Sequence, residues 1–397
     1  MPLNQSDTPP RLITLILLTA AATLSLNMFL PSLANIARDL NTTYAVASLA
    51  VAGYLAASAV IYLVIGPLSD RYGRRPVLLV ALIMFTFASL GCALATDIRI
   101  FLLCRLLQGG MVGGSALSMA IVRDTTPKEQ AAGLLGYIAM AMALAPMLGP
   151  ALGGVLDANF GWRANFYAYA GAGAALLLLA WFDLGETRPD TDTSAKLDFP
   201  ALATLSSDPR FLSFALCTAM STGAFYMFVS GVPLVAATAF GISTSQLGFY
   251  IGSITGGFMF GSFLSGRLAP HFRLTTMMLA GRITACAGLS LGGLFLLLGM
   301  VSPALFFGST IFVGIGNGLT MPSSNSGAMS VRPSLTGSAA GLNGSLNVAT
   351  GAALTALAGS FLTLWPTPLV LVSLMLASSA GGLWAALWAR WQNADQT

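Results

Sequence analysis

Gly66-Pro67-Leu68-Ser69-Asp70-Arg71-Tyr72-Gly73-Arg74-Arg75-Pro76 is a charged turn set between two long apolar runs. It gathers three arginines, a carboxylate and two glycines in a chain where charged residues make up only 8%. Such a turn cannot sit in hydrocarbon, because its backbone and charges would be left unsatisfied there, so it marks a membrane face. Its excess of arginine places it on the cytoplasmic side, since short basic loops stay inside.

Working outward, the composition agrees with a polytopic membrane protein. The chain has 397 residues, 56% of them hydrophobic, and a mean hydropathy of +0.79, far more apolar than a soluble domain. The net charge of +4 is spread over separate loops. It therefore reads as topology, and no nucleic-acid surface is expected. Cys92, Cys104, Cys217 and Cys286 all fall in apolar runs without metal spacing, so we expect free thiols, no disulfide, no metal and no cofactor. The polar start runs only to Pro10, and the apolar run after Arg11 is too long for a signal-peptide core.

At about 20 apolar residues per crossing, twelve spans are counted. The first six run Arg11 to Ile36, Tyr44 to Leu68, Val77 to Ala95, Ile100 to Val122, Ala131 to Leu156 and Ala164 to Phe182. The last six run Phe211 to Phe240, Gln246 to Leu268, Leu274 to Leu298, Ala304 to Val331, Gly337 to Leu362 and Leu369 to Ala389. Between the sets lies the one long polar segment, with Glu186, Asp190, Asp192, Lys196 and Asp198 among three prolines. The expected division is a first bundle over 1–183, a cytoplasmic linker over 184–209 and a second bundle over 210–397.

Charge tests the count. With both termini cytoplasmic, the inner segments hold Arg11, Arg71, Arg74, Arg75, Arg123, Lys128, Arg188, Lys196, Arg210, Arg267, Arg273, Arg332 and Arg390. The outer loops hold only Arg38, Arg99 and Arg163, which is the expected asymmetry. Leu264-Ser265-Gly266-Arg267 at the end of span 8 echoes Leu68-Ser69-Asp70-Arg71 at the end of span 2, so the halves read as a repeat. The expected fold is all-α and integral to the membrane, with twelve transmembrane helices in two six-helix pseudo-symmetric bundles. Two related halves leave a cleft near the midplane, the arrangement of an alternating-access carrier.

The opening turn resembles the loop between spans 2 and 3 of the major facilitator superfamily, Gly-x-Leu-x-Asp-Arg-x-Gly-Arg-Arg. Three further stretches are similar to that family. Arg105-Leu106-Leu107-Gln108-Gly109 resembles its span 4 signature, in which the arginine lines the cavity and takes part in proton coupling. Gly149-Pro150-Ala151-Leu152-Gly153-Gly154, with Pro146 one turn earlier, resembles the span 5 signature associated with exporters. Leu26-Asn27-Met28-Phe29-Leu30-Pro31 resembles the span 1 segment of Bcr/CflA-type drug-resistance exporters, except that the family's acid is Asn27 here. An amide cannot exchange a proton near neutral pH.

These resemblances imply a multidrug-efflux antiporter of the bacterial inner membrane. It would be multi-pass with both termini cytoplasmic, expelling small amphipathic drugs or metabolites, with protons as the coupling ion. An uncoupled carrier of a neutral or anionic metabolite is the alternative, motivated by Asn27. The expected partners are the small-molecule substrate, protons and the bilayer; a monomer is expected. No catalytic cluster is expected, because no His, Asp or Glu falls deep within an expected span.

The expected cavity residues are Asn27, Arg105, Gln108, Met140, Phe225, Tyr226, Asn317 and Asn343. Helical rise puts Asn27 about 24 Å and Arg105 about 26 Å above the inner face, at similar depth. Arg105 costs at least about 2.5 to 3.5 kcal/mol in hydrocarbon, so it faces the interior or snorkels outward. Arg282, about 12 Å into span 9, is expected to snorkel to the cytoplasmic interface. Gly66, Asp70, Arg71, Gly73, Arg74, Arg75 and Asp124 form the gate that the resemblance implies at the cytoplasmic ends, or fix topology alone. Pro146, Gly149, Pro150, Gly153 and Gly154 are expected to bend span 5 and let a neighbour approach.

Overall fold

Proline and glycine positions explain where the long apolar runs bend and stop. In the computed structural model, which describes residues 11–126, 128–187, 199–332 and 335–394, the chain is a bundle of long helices. The first half comprises α1 (Leu12–Asp39), α2 (Tyr44–Tyr72), α3 (Arg74–Leu94), α4 (Ile98–Val122), α5 (Lys128–Phe160) and α6 (Arg163–Asp183). The second comprises α7 (Pro209–Phe240), α8 (Thr244–Leu268), α9 (Leu274–Leu297), α10 (Pro303–Ser330), α11 (Thr336–Leu364) and α12 (Pro368–Ala394). A short helix, Phe199–Ser206, precedes α7. Eleven of the twelve are long and apolar enough to cross a membrane. The twelfth, α5, has 33 residues and would reach about 50 Å.

The sequence expectation for the first span was one uninterrupted helix. Instead α1 stops at Asn27, passes through a tight turn at Leu30–Ser32 and resumes over Leu33–Asp39. Pro31 is the cause: it has no amide to donate, and its ring crowds the carbonyl four residues back, which is that of Asn27. Span 5 was expected to end at Leu156, but α5 continues to Phe160 and buries Asp157. Asp157 thus lies inside the last turn of α5 rather than in the loop beyond it.

Helix ends follow local chemistry. The Thr43 hydroxyl accepts from the Val46 amide to start α2, and the Asp97 and Asp208 carboxylates accept from the amides of Arg99 and Arg210 to start α4 and α7. Between α2 and α3 the chain turns on Gly73 at φ 96°, a left-handed conformation that a side chain would strain. Large apolar side chains such as Phe87, Leu178, Phe260 and Leu297 point outward, as a lipid-facing surface requires. Between helices, lipid offers no hydrophobic drive, so close packing of small residues does the work.

The two halves approach closely near one end of the bundle, which we refer to as the Asp39 face. A methyl placed on Gly154 of α5 would lie 2.3 Å from the Thr244 carbonyl of α8, and one on Gly248 of α8 would lie 2.4 Å from the Pro150 carbonyl. On the other side of the bundle, a methyl on Gly359 of α11 would lie 2.0 Å from the Ser48 hydroxyl of α2. The Tyr44 hydroxyl donates to the Ser230 carbonyl of α7, also across the halves. The opposite end carries Arg74 and is called the Arg74 face.

Candidate functional site: a cavity between the halves

A cavity of about 160 Å³ lies between the halves. From the first half its walls are Ala22, Thr23, Leu26 and Asn27 of α1, Tyr54, Leu55, Ser58 and Tyr62 of α2, Val112 and Ser115 of α4, and Met142 and Pro146 of α5. From the second half come Phe225 and Tyr226 of α7 and Val348 of α11. No charged side chain is among them. Of the expected cavity residues, Asn27, Phe225 and Tyr226 are among this lining, while the side chain of Met140 lies outside the described residues.

Asn27 is set by the break in α1. Its Nδ2 donates 2.8 Å to the Thr23 carbonyl one turn below, while Oδ1 is buried with no hydrogen-bond partner among the described residues. Opposite it, the ring of Tyr226 lies against Gly351 of α11, where a methyl would come 2.5 Å from the ring. Phe225 and Tyr226 are tilted with centroids 5.7 Å apart. Sequence reasoning missed Tyr54, Ser58 and Tyr62, although their four-residue spacing places them on one face of α2. Val60, between them, is exposed to the lipid side.

Arg105 and Gln108 correct the expectation: both are fully buried and neither is in the cavity wall. Arg105 donates from Nε to the Ala50 carbonyl at 3.3 Å and from Nη1 to the Ser25 carbonyl at 3.1 Å and Gln108 Oε1 at 2.6 Å. Its guanidinium stacks on Phe29 at 4.1 Å and on Tyr54 at 4.7 Å. Gln108 Nε2 in turn donates 2.6 Å to the Ser89 hydroxyl of α3. The arginine therefore ties α1, α2 and α4 together behind the Tyr54 ring, and Gln108 extends the tie to α3.

The second half holds its own buried cation. Arg282 does not snorkel: it is fully buried, and it donates to the Thr320 hydroxyl at 3.0 Å and to Asn317 Oδ1 at 2.6 Å. Asn317 passes its own amide hydrogens to the Ser221 carbonyl of α7 at 3.0 Å. Asn343 donates 2.8 Å to Asn325 Oδ1. Both asparagines were expected in the cavity, yet here they are spent on contacts between helices, outside the wall. An arginine costs so much in hydrocarbon that three helices are arranged around it, which fixes α9 inward.

At the Arg74 face the charged turn closes on itself. Arg74 Nη1 meets Asp70 at 2.6 Å and its Nε meets Asp124 of the chain beyond α4 at 3.1 Å. Nη1 also donates to the Ser69 hydroxyl. Arg75 donates 2.8 Å to the Trp181 carbonyl of α6 and stacks on that indole at 5.5 Å, and Arg71 lies over Tyr72 at 5.2 Å. Gly66 sits where an added methyl would meet nothing within 4 Å. Of the five described ion pairs, four lie within the first half and the fifth ties Arg332 to Asp208, the residue that caps α7. In α5 the Pro-Gly stretch serves two neighbours: Gly149 and Gly153 face α1 at Leu24 and Met28, whereas Gly154 faces α8.

Two six-helix halves, this turn and a cavity at their junction agree with the family model described as Major Facilitator Superfamily, which matches residues 15–354. The chain belongs to the major facilitator superfamily. Among relatives of this superfamily, the multidrug resistance protein MdtL of Salmonella heidelberg (strain SL476) is 31% identical over 323 residues, 80% of each chain. The uncharacterized MFS-type transporter YdgK of Bacillus subtilis (strain 168) is 31% identical over 268 residues, 66% of this chain and 67% of that protein. In fold, this superfamily member is similar to a bacterial homolog of the human lysosomal transporter Spinster, with a TM-score of 0.76, 16% identity and 98% of both chains covered. It is also similar to a D-xylose-proton symporter, at a TM-score of 0.73, 15% identity and 95% and 97% coverage. A major facilitator chain is a multi-pass membrane transporter for small molecules.

Proposed function

We propose that this transporter is a Bcr/CflA-type exporter that expels small amphipathic compounds across the bacterial inner membrane by alternating access, with protons as the coupling ion. The observation that carries the reading is the cavity: it lies between the two halves, is walled by aromatic and small polar side chains, and lies beside a close seam at the Asp39 face. The arginine asymmetry supports a cytoplasmic Arg74 face and cytoplasmic termini. On that orientation the close seam lies at the outer face. The Asp70, Arg74 and Asp124 cluster then acts as the inner gate, engaging the second half when the protein turns outward. The name of the MdtL relative and the Pro-Gly stretch of α5 favour export. The protein works as a monomer, its 1–183 and 210–397 halves joined by the polar linker.

Coupling by protons needs a carboxylate, and none is in the cavity wall. An uncoupled carrier for neutral metabolites is the second reading, favoured by Asn27 in place of an acid. The test is uptake into proteoliposomes with an imposed pH gradient. Accumulation driven by the gradient supports the exporter; equilibration that ignores the gradient, and becomes gradient-driven only in Asn27→Asp, assigns the facilitator.

A further inference from the structure

We infer that the cavity takes uncharged, planar aromatic compounds that carry an N–H or O–H donor, and that this donor docks on Oδ1 of Asn27. The inference rests on the carrier reading and adds the class of ligand to it. Asn27 is 3% exposed and one of its amide hydrogens is donated to the Thr23 carbonyl. Its oxygen has no partner among the described residues and belongs to a side chain in the wall. A buried acceptor without a donor is costly, so a ligand that supplies one gains a hydrogen bond at this oxygen.

The remaining wall decides the body of the ligand. Tyr54, Tyr62, Phe225 and Tyr226 present aromatic surface, which favours a flat ring in offset or edge-on contact. Charge is decided by what is missing. A ligand ion would leave water for a wall that holds no charged side chain, with nothing to offset its desolvation. Arg105 does not change this for anions, because it lies outside the wall, stacked on the Tyr54 ring and bonded to carbonyls of α1 and α2. A charged ring compound of either sign is therefore the poorer ligand.

The experiment uses the full-length protein in lipid nanodiscs and four probes that share one naphthyl ring: naphthamide, its N,N-dimethyl derivative, naphthoate and naphthylmethylammonium. Binding is read from naphthyl fluorescence. Naphthamide is expected to bind about tenfold tighter than each of the others, the fold that one recovered hydrogen bond supplies. Asn27→Leu is expected to bring naphthamide and the dimethyl derivative to equal affinity. Asn27→Asp is expected to turn the preference toward naphthylmethylammonium. The inference is overturned if wild type binds either ion as tightly as the amide, if it binds none of the four, or if the amide preference survives Asn27→Leu. Should Asn27→Leu fail to fold, the wild-type ranking still decides. Binding needs no gradient, so absent proton-driven uptake with this ranking intact overturns the coupling alone.

Discussion

The Glu186 carboxylate accepts a hydrogen bond from the backbone amide of Arg74 at 2.9 Å, across 112 residues of chain. The first amides of a helix have no partner within it, and α3 begins at Arg74. A carboxylate from beyond α6 therefore caps α3, at the same turn whose Gly73 leaves no room for a methyl beside that carboxylate. Glu186→Ala is expected to cost about 1 kcal/mol, the usual worth of such a cap. Thermal unfolding in detergent checks this, with Glu186→Gln avoiding most of the loss because its amide oxygen still accepts.

Arg105 is a second test of position. Arg105→Met removes the donors to the Ser25 carbonyl and Gln108 and leaves them buried, at about 1 to 3 kcal/mol for each unsatisfied group. A marked fall in unfolding temperature is expected. The fraction that folds is expected to keep its affinity for an uncharged ring probe, since the arginine is outside the wall. Affinity lost in parallel with a normal unfolding temperature would contradict this.

The seam at the Asp39 face yields to bulk. Gly248→Leu would drive a side chain into the Pro150 carbonyl, where even a methyl is 2.4 Å away. The seam is then held apart. With Thr244→Cys as reporter in a background lacking the four native cysteines, labelling of intact cells by an impermeant maleimide is expected to rise several-fold. No rise would mean that the seam already opens freely.

Asp157 carries the prediction about coupling. Its carboxylate accepts from Asn35 at 2.8 Å and is 7% exposed, without an ion pair among those described. Arg38 holds Asn35 from the other side at 2.9 Å, while Asp39 is taken by Arg163. If protons drive export, Asp157→Asn is expected to keep downhill transport and to lose accumulation against a concentration difference. Proteoliposome uptake with and without a pH gradient separates the two rates.

How far the site could be read in advance differs from residue to residue. Asn27, Phe225 and Tyr226 were legible because polar or aromatic groups interrupt an apolar run. Tyr54, Ser58 and Tyr62 carried the same kind of signal at a spacing of four, and it went unused. Arg105 and Arg282 were not legible beyond their presence. Each must be satisfied inside the protein, yet the partners, Ser25 and Ala50 for one, Asn317 and Thr320 for the other, are 35 or more residues away. Asp157 follows the apolar run that ends at Leu156, so run length leaves it outside span 5 although the helix continues to Phe160.

By itself the sequence determined the number of membrane-crossing helices. It follows from run length against bilayer thickness, a local property. Only the tertiary structure decided which side of each helix faces the cavity and where the halves touch. A soluble helix shows its inward side by hydrophobicity, but lipid is as apolar as a helix interior, so rotation about the axis leaves little trace in hydropathy. That rotation is settled by packing against distant helices, where Gly154 meets Thr244 and Gly351 meets Tyr226.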